Sequence, residues 1–350
     1  MLRDTTPPIQ LPHAAVMTTN WKHPMRWLFT LSLAVTTVAF TQAAELVARG
    51  TIAFTSDDAK NNVPERYRLA PHSFEFERQL KYDLKGSEVE VYSIQFPSPI
   101  ETKFAVNNMV HCEYFKPKKA GQFPAVVVLD ILDGAGVVSR GEAMWLAVHD
   151  IPALCITMPF YGPRRPPESQ NGKQRLLSTD TTRSIDNIRQ TVLDARRAVA
   201  WLAAQPEVDA DKIGVVGTSL GSFMGGLLAA AEPRVSVACL LLGGGGLVDS
   251  FADHPQAGLV FRAMQLVGIS RDGLKKLIAP VDPLTFADQL KLKRLLLIAA
   301  SRDDVVPPIA MKRLWEATGQ PKIVWLDSTH VGAALYAFTA MNAVIEHLKR

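Results

Sequence analysis

The stretch Lys212 to Gly226, KIGVVGTSLGSFMGG, holds the strongest chemical signal in this chain. Ile213 to Val216 is a short apolar, β-branched run, Gly217-Thr218-Ser219-Leu220-Gly221 follows at once, and small and apolar residues continue from Leu220 to Ala231. The pattern predicts a strand, a tight turn and a helix, with Ser219 at the apex of the turn. Glycines two residues to either side let the backbone pass close to its neighbours, so the serine hydroxyl projects. A serine hydroxyl becomes a useful nucleophile only when a neighbouring base takes its proton, and that base needs a third group to orient it. Two downstream stretches contain such groups. The apolar run Arg294 to Ala299 leads into Arg302-Asp303-Asp304-Val305-Val306-Pro307, and Lys322 to Leu326 leads into Asp327-Ser328-Thr329-His330. Asp303 and Asp304 are both candidates for the orienting acid, and His330 for the base. Together with Ser219 they form the set needed for acyl transfer.

Positioning those residues requires a scaffold, and the chain's periodicity describes one. Glu88 to Gln95 alternates polar and apolar residues, and Asn108 to Phe115 is a second strand candidate, suggesting an antiparallel edge. Ala125 to Leu129 is wholly apolar, as a strand buried on both faces of a parallel sheet would be. Strands and helices then alternate. Arg140 to His149 is helical, Ala153 to Met158 is a strand, and Thr182 to Ala204 is a long helix with Ile185, Ile188, Val192, Ala195, Val199 and Leu202 on one stripe. After the serine turn come the strand Val235 to Leu242, the strand Arg294 to Ala299, a helix from Pro308 to Ala317, the strand Lys322 to Leu326 and a helix from Ala333 to Leu348. Such alternation predicts an open, mostly parallel sheet covered by helices on both faces. Ligands bind beyond the carboxyl ends of its strands. Gly243 to Leu290 is too long for an ordinary connection and contains Leu259 to Leu266 and Leu274 to Leu277 as short helical candidates, so it is expected to form a helical cap over that end.

With these elements in place the chain resembles the α/β-hydrolase superfamily, whose triad runs in the order Ser, acid, His. The resemblance covers roughly Glu88 to Arg350 and is nearest the carboxylesterase and dienelactone-hydrolase-like branches. It implies the α/β-hydrolase fold and a catalytic set of Ser219, Asp303 and His330. Asp303 is selected because the family's acid stands two residues before a Val-Pro step, which leaves Asp304 as a loop or supporting residue and Asp327 as a turn residue. The resemblance further implies an oxyanion hole built from the Leu220 amide, next to the nucleophile, and an amide of the loop Asp130-Ile131-Leu132-Asp133-Gly134. Ile131 is the first candidate there and Leu132 the next, because the family often has His-Gly where this chain has Asp130-Ile131. A serine at the elbow departs from dienelactone hydrolases proper, which use cysteine, and from the dehalogenases and epoxide hydrolases, which use aspartate. The implied activity is hydrolysis of a small-molecule carboxylic ester through an acyl-enzyme, with short acyl groups expected beneath an apolar cap. A lipase or peptidase of the same fold, and a catalytically silent binding protein, are the alternatives.

Composition sets the remaining expectations. With 350 residues, 47% hydrophobic and 21% charged, the chain is a globular one able to bury a large core. Its formal charge of +4 contains no block of like charges, so no nucleic-acid surface is expected. Lys22 and Arg26 precede an apolar run from Trp27 to Phe40, followed by the small-residue site Thr41-Gln42-Ala43. That order predicts a signal peptide over residues 1–43, cleavage near Ala44, and a secreted or periplasmic protein with no stable membrane span afterwards. Residues 44–87 read as an N-terminal extension or helical cap ahead of the hydrolase domain at 88–350, within which the cap insertion occupies about 243–290. Cys112, Cys155 and Cys239 sit in apolar runs and predict buried thiols. No metal-ligand spacing or phosphate-binding glycine loop occurs, so neither metal nor cofactor is expected. Arg164 and Arg165, in the proline-rich stretch Met158 to Pro167, read either as binders of an anionic substrate group or as solvated loop residues. His111, His149 and His254 lie away from the triad pattern. Nothing in the sequence sets an oligomeric state.

Overall fold

A computed structural model describes residues 47–84, 86–132, 134–167, 175–178, 180–255 and 268–350. Ala44–Arg350 forms one compact unit, and the other, Met1–Ala43, lies outside the described residues. The expected signal peptide therefore falls outside them, as does the helical candidate Leu259 to Leu266.

The unit is built on one ten-stranded sheet with the order β1-β2-β3-β4-β6-β5-β7-β8-β9-β10. Its strands are β1 (Ala48–Phe54), β2 (His72–Leu84), β3 (Val89–Pro97), β4 (Met109–Pro117), β5 (Phe123–Leu129), β6 (Ala153–Ile156), β7 (Val208–Thr218), β8 (Val235–Leu241), β9 (Arg294–Ala300) and β10 (Lys322–Leu326). Strands β1 to β4 pair antiparallel, β4 joins β6 antiparallel, and β6 through β10 run parallel. Parallel neighbours need crossovers, and the helices supply them. Helix α1 (Val137–Ala147) carries β5 to β6 on one face, where it shares a core with the C-terminal helix Ala337–Leu348. Helices α2 (Thr181–Ala203) and α3 (Leu220–Ala231) lie in the core of the opposite face with the helix Pro308–Ala317. The order reverses at β5, which has β6 on one side and β7 on the other, making a crevice at their carboxyl ends.

The elements match the sequence pattern closely where apolar periodicity is strong. All of Ile185, Ile188, Val192, Ala195, Val199 and Leu202 are buried on α2, whose N-cap Asp180 accepts a hydrogen bond from the Arg183 amide. The three cysteines are buried and free, and burial holds their thiols well above the ordinary range. Among the described residues one helical stretch, Val331–Leu348, is long and apolar enough to cross a membrane. Ala340, Met341, Val344, Ile345 and Leu348 from that stretch pack into the core beneath the sheet.

In residues 44–87 the helical cap is not what forms, because β1 and β2 extend the sheet by two antiparallel strands. In β2 the alternation Ser73-Phe74-Glu75-Phe76-Glu77 is a strand pattern diluted by charge, with Phe74 turned into the core. A buried ion cluster also fastens this segment to α2. Arg196 donates to both carboxylate oxygens of Asp58, at 2.6 and 2.7 Å, to the Tyr67 carbonyl at 2.6 Å, and to Glu232 at 3.0 Å. Ion pairing together with hydrogen bonds from all three guanidinium nitrogens is what makes burial of these charges tolerable.

Candidate active site

Strand β7 ends at Thr218, and α3 begins at Leu220, so Ser219 alone makes the turn. Its backbone sits at φ 55° and ψ −117°, a conformation costly for any residue with a side chain. Two hydrogen bonds hold it there: the Ser219 amide donates to the Leu241 carbonyl at 2.9 Å, and the Ser222 amide donates to the Ser219 carbonyl at 2.9 Å. The flanking glycines are needed for close approach rather than for unusual dihedrals. A Cβ on Gly217 would lie 2.1 Å from the Gly221 carbonyl oxygen, and one on Gly221 would lie 2.1 Å from that of Leu129.

The loops after β9 and β10 bring the other candidates to this turn. His330 Nε2 is 3.0 Å from Ser219 Oγ, and His330 Nδ1 is 2.8 Å from Asp303 Oδ2. The second oxygen of Asp303 accepts from the amides of Val305 at 2.9 Å and Val306 at 2.7 Å, which fixes the carboxylate in the turn. Asp304 points elsewhere. Its carboxylate accepts from the His330 backbone amide at 3.3 Å, so it braces the histidine loop without touching the imidazole. Asp327 is exposed and pairs with Arg302. Of the other histidines, His149 contacts the Trp145 carbonyl through Nδ1, while His254 approaches the Asp304 carbonyl at 3.3 Å. Oriented by Asp303, a neutral His330 can accept a proton from Ser219.

Ser219 and His330 open onto a cavity of about 650 Å³ with largely apolar walls. Its roof and sides come from α1, the loop after β5, the 3₁₀ segment Val331–Tyr336 and the C-terminal helix. Ile131 and Leu132 both lie on the wall, at the end of β5 beside the nucleophile. Because α3 starts at Leu220, that amide belongs to the first helical turn and has no acceptor within the helix. The expected cap contributes differently from the sequence reading. None of the described residues of 243–290 lines this cavity, and Leu274 is instead buried in a helix, Arg271–Ile278, that packs with the short turn Leu247–Ser250.

Arg164 is neither solvated nor available to a substrate. It is fully buried, donating to Asp194 at 2.7 Å, to the Asn107 carbonyl at 2.7 Å and to the Thr157 carbonyl at 2.9 Å. Arg165 is exposed and lines a second cavity of about 340 Å³, which does not include Ser219. Among the described residues no group of three or more His, Cys, Asp or Glu side chains could hold a metal ion.

Glu142 is a residue of the cavity wall that motif reasoning passed over. Its Oε1 accepts from the Thr218 hydroxyl at 2.5 Å, one residue before the nucleophile. Burial pushes its carboxyl up to about 7, against the Thr218 hydrogen bond and aided by the charge of Asp130. A helical-wheel signal existed, since Glu142 stands one turn before the buried Leu146 on the apolar face. The fold therefore keeps a proton that the unfolded chain releases near the ordinary glutamate value of 4.5. The unfolded state binds fewer protons between about 4.5 and 7, so stability from this group falls as pH rises through that window and levels above it, by on the order of 3 kcal/mol. Asp130 and Cys155 are the titratable neighbours coupled to it, and His330 shares its cavity. Denaturant unfolding at pH 5 and pH 8 is expected to show a smaller pH-linked loss for Glu142→Gln than for the parent chain.

Comparisons with known proteins agree with this architecture. A family model described as the C-terminal domain of BAAT and acyl-CoA thioester hydrolases matches residues 196–278. The uncharacterized protein Rv2627c of Mycobacterium tuberculosis is 28% identical over 192 residues, covering 53% of this chain and 44% of that protein. A probable 2-oxo-3-(5-oxofuran-2-ylidene)propanoate lactonase of a Bradyrhizobium species is 29% identical over 122 residues, covering 35% of this chain and 46% of that protein. The chain thus spans less than half the length of these curated relatives. Among solved structures, an acetyl xylan esterase from Paenibacillus sp. R4 superposes with a TM-score of 0.64 at 20% identity, covering 77% of this chain and 88% of that one. Acetyl xylan esterase 1 from a Thermoanaerobacterium species gives 0.56 at 19% identity over 77% and 87%, and a Pyrococcus furiosus esterase gives 0.53 at 17% over 77% and 96%. The fold is that of an α/β-hydrolase.

Proposed function

From its α/β-hydrolase fold, we propose that this chain is a serine hydrolase of carboxylic esters. The observation that carries the reading is the continuous relay from Ser219 Oγ to His330 Nε2 at 3.0 Å and from His330 Nδ1 to Asp303 at 2.8 Å, opening onto one apolar cavity. In this reading Ser219 attacks the acyl carbon while His330 takes its proton. Asp303 holds the imidazole in the required tautomer and stabilises the imidazolium. The Leu220 amide and an amide of the Ile131 loop donate to the oxyanion, an effect worth on the order of 3 kcal/mol per donor. His330 returns the proton to the leaving alcohol, and water then cleaves the acyl-enzyme by the same path in reverse.

Small-molecule esters of short acyl groups, from acetyl to butyryl, are the proposed substrates, hydrolysed without a cofactor. The acetyl xylan esterases among the structural neighbours support that choice. The competing reading is a lipase that docks on lipid, and the exposed Val331, Leu335 and Phe338, at 78%, 89% and 67%, are the rim it would use. The family match over 196–278 also favours testing thioesters. A fluorophosphonate probe is expected to label the chain at Ser219, which requires an activated serine. A series of 4-nitrophenyl esters and acyl-CoA thioesters, run beside peptide amides, is expected to give the highest kcat/KM for short oxygen esters. A sharp rate increase as a long-chain ester passes its solubility limit would establish the lipase instead. Absence of labelling and of turnover would leave a binding protein.

We also propose export, with cleavage near Ala44, supported by the basic, apolar and small-residue order of residues 1–43. N-terminal sequencing of the exported protein is expected to begin near Ala44. An intact leader on the mature chain would overturn it.

A further inference from the structure

The cavity beside Ser219 is apolar except at a few places, and two of these lack partners. Glu142 and Trp145 both line it, three residues apart on α1 and so on one face of the helix. Glu142 Oε1 is occupied by the Thr218 hydroxyl, whereas Glu142 Oε2 and Trp145 Nε1 are buried with no hydrogen-bond partner. A buried polar atom left unpaired costs about 1–3 kcal/mol, and two of them on residues that share one helix face and line a ligand cavity call for an explanation. Bracing of the serine turn accounts for Oε1 alone.

We propose that Glu142 and Trp145 form a polar subsite for a hydroxyl group on the substrate, so that the preferred esters carry an alcohol on the chain that enters this cavity. The inference rests on the esterase reading above and names the substrate class of the same site. A hydroxyl is the group that suits both protonation states of the carboxyl. With Oε1 accepting from Thr218, a protonated Glu142 presents an O–H from Oε2, to which a substrate hydroxyl can act as acceptor. An ionised Glu142 presents a lone pair, to which the same hydroxyl can donate. At Glu142 itself a ketone would pair only with the protonated acid, and an ammonium group only with the carboxylate. The indole N–H adds a fixed donor for the hydroxyl oxygen. A plain alkyl chain pairs with none of them and leaves the wall unsatisfied, which is how a site built for a hydroxyl discriminates.

The test is the ratio of kcat/KM for 4-nitrophenyl 3-hydroxybutyrate to that for 4-nitrophenyl butyrate, and for 2-hydroxyethyl acetate to propyl acetate, so that either side of the ester is sampled. One of the two ratios is expected to be about tenfold or more, at both pH 6 and pH 8, matching the loss of one buried hydrogen bond. Glu142→Met, which keeps length and removes polarity, is expected to bring that ratio to near one. Trp145→Phe, which keeps the ring and removes the donor, should lower it several-fold. If Glu142→Met does not fold, Trp145→Phe takes its place in the comparison. Ratios near one for both pairs in the parent chain, or a preference that survives the substitution, would overturn the subsite while fluorophosphonate labelling and turnover of plain butyrate still uphold the esterase. A chain that neither labels nor turns over any of the four esters would overturn both.

Discussion

Ser219→Ala and His330→Ala are each expected to lower kcat/KM for a short-chain ester by roughly four to six orders of magnitude, and the double variant by little more than either alone. The serine and the imidazole act as one unit: without the hydroxyl there is nothing to deprotonate, and without the base the hydroxyl is a poor nucleophile. Their 3.0 Å contact is the geometric basis for that non-additivity. The acid separates two neighbours that the chain places side by side. Asp303→Asn disturbs the oxygen 2.8 Å from His330 Nδ1 and is expected to cost about 10⁴-fold, through the wrong tautomer. Asp304→Asn affects only a 3.3 Å bond to the His330 backbone amide, so its loss should stay within about tenfold. Steady-state kinetics on the five variants checks this, with circular dichroism to confirm folding. Equal effects at the two aspartates would show that the orienting acid is not Asp303.

The second large effect concerns the turn itself. Gly221→Ala places a methyl 2.1 Å from the Leu129 carbonyl oxygen and 2.8 Å from that of Asp130. Those atoms are backbone at the end of a central strand with neighbours on both sides, so they cannot give way as the tip of a side chain would. A destabilisation of about 3 kcal/mol or more is expected, with loss of soluble yield. Gly141→Ala in α1 is the contrast, since nothing lies within 4 Å of its added carbon. There the helix should gain up to about 1 kcal/mol from the better intrinsic propensity of alanine. Thermal melts of the two variants beside the parent chain read both signs at once. A Gly221→Ala protein as stable as the parent would mean that the β5 end can move away from α3, which would also move the Ile131 loop.

How much of this was legible without coordinates depends on whether the information is local. Ser219, Asp303 and His330 were readable because each follows a strongly apolar strand by a few residues, and strand ends converge at the same edge of a parallel sheet. The elbow glycines were readable for the same reason, as a turn records its steric needs in its own residues. Strands β1 and β2 were missed although β2 alternates, because Arg78 interrupts the apolar half of the pattern, Phe74, Phe76, Leu80 and Tyr82, in a stretch otherwise rich in charge. Arg164 carried no local sign of its fate; its partner Asp194 lies thirty residues away on a different element.

The sequence by itself determined the order of elements, the elbow and the identities of the residues that meet there, since periodicity and motif spacing act over a few residues at a time. Only the tertiary structure decided what surrounds them. The cavity walls are α1 and the segment from Val331 to Met341, two stretches nearly two hundred residues apart, rather than the described part of the insertion that the sequence pointed to. Glu142 could be seen as a glutamate on an apolar helix face, but whether it meets an arginine, water or the nucleophile's neighbour depends on where the β5–α1–β6 crossover lays that face. That placement follows from packing the helix against the sheet and the C-terminal helix together, a balance of many long-range contacts that no short window of residues contains.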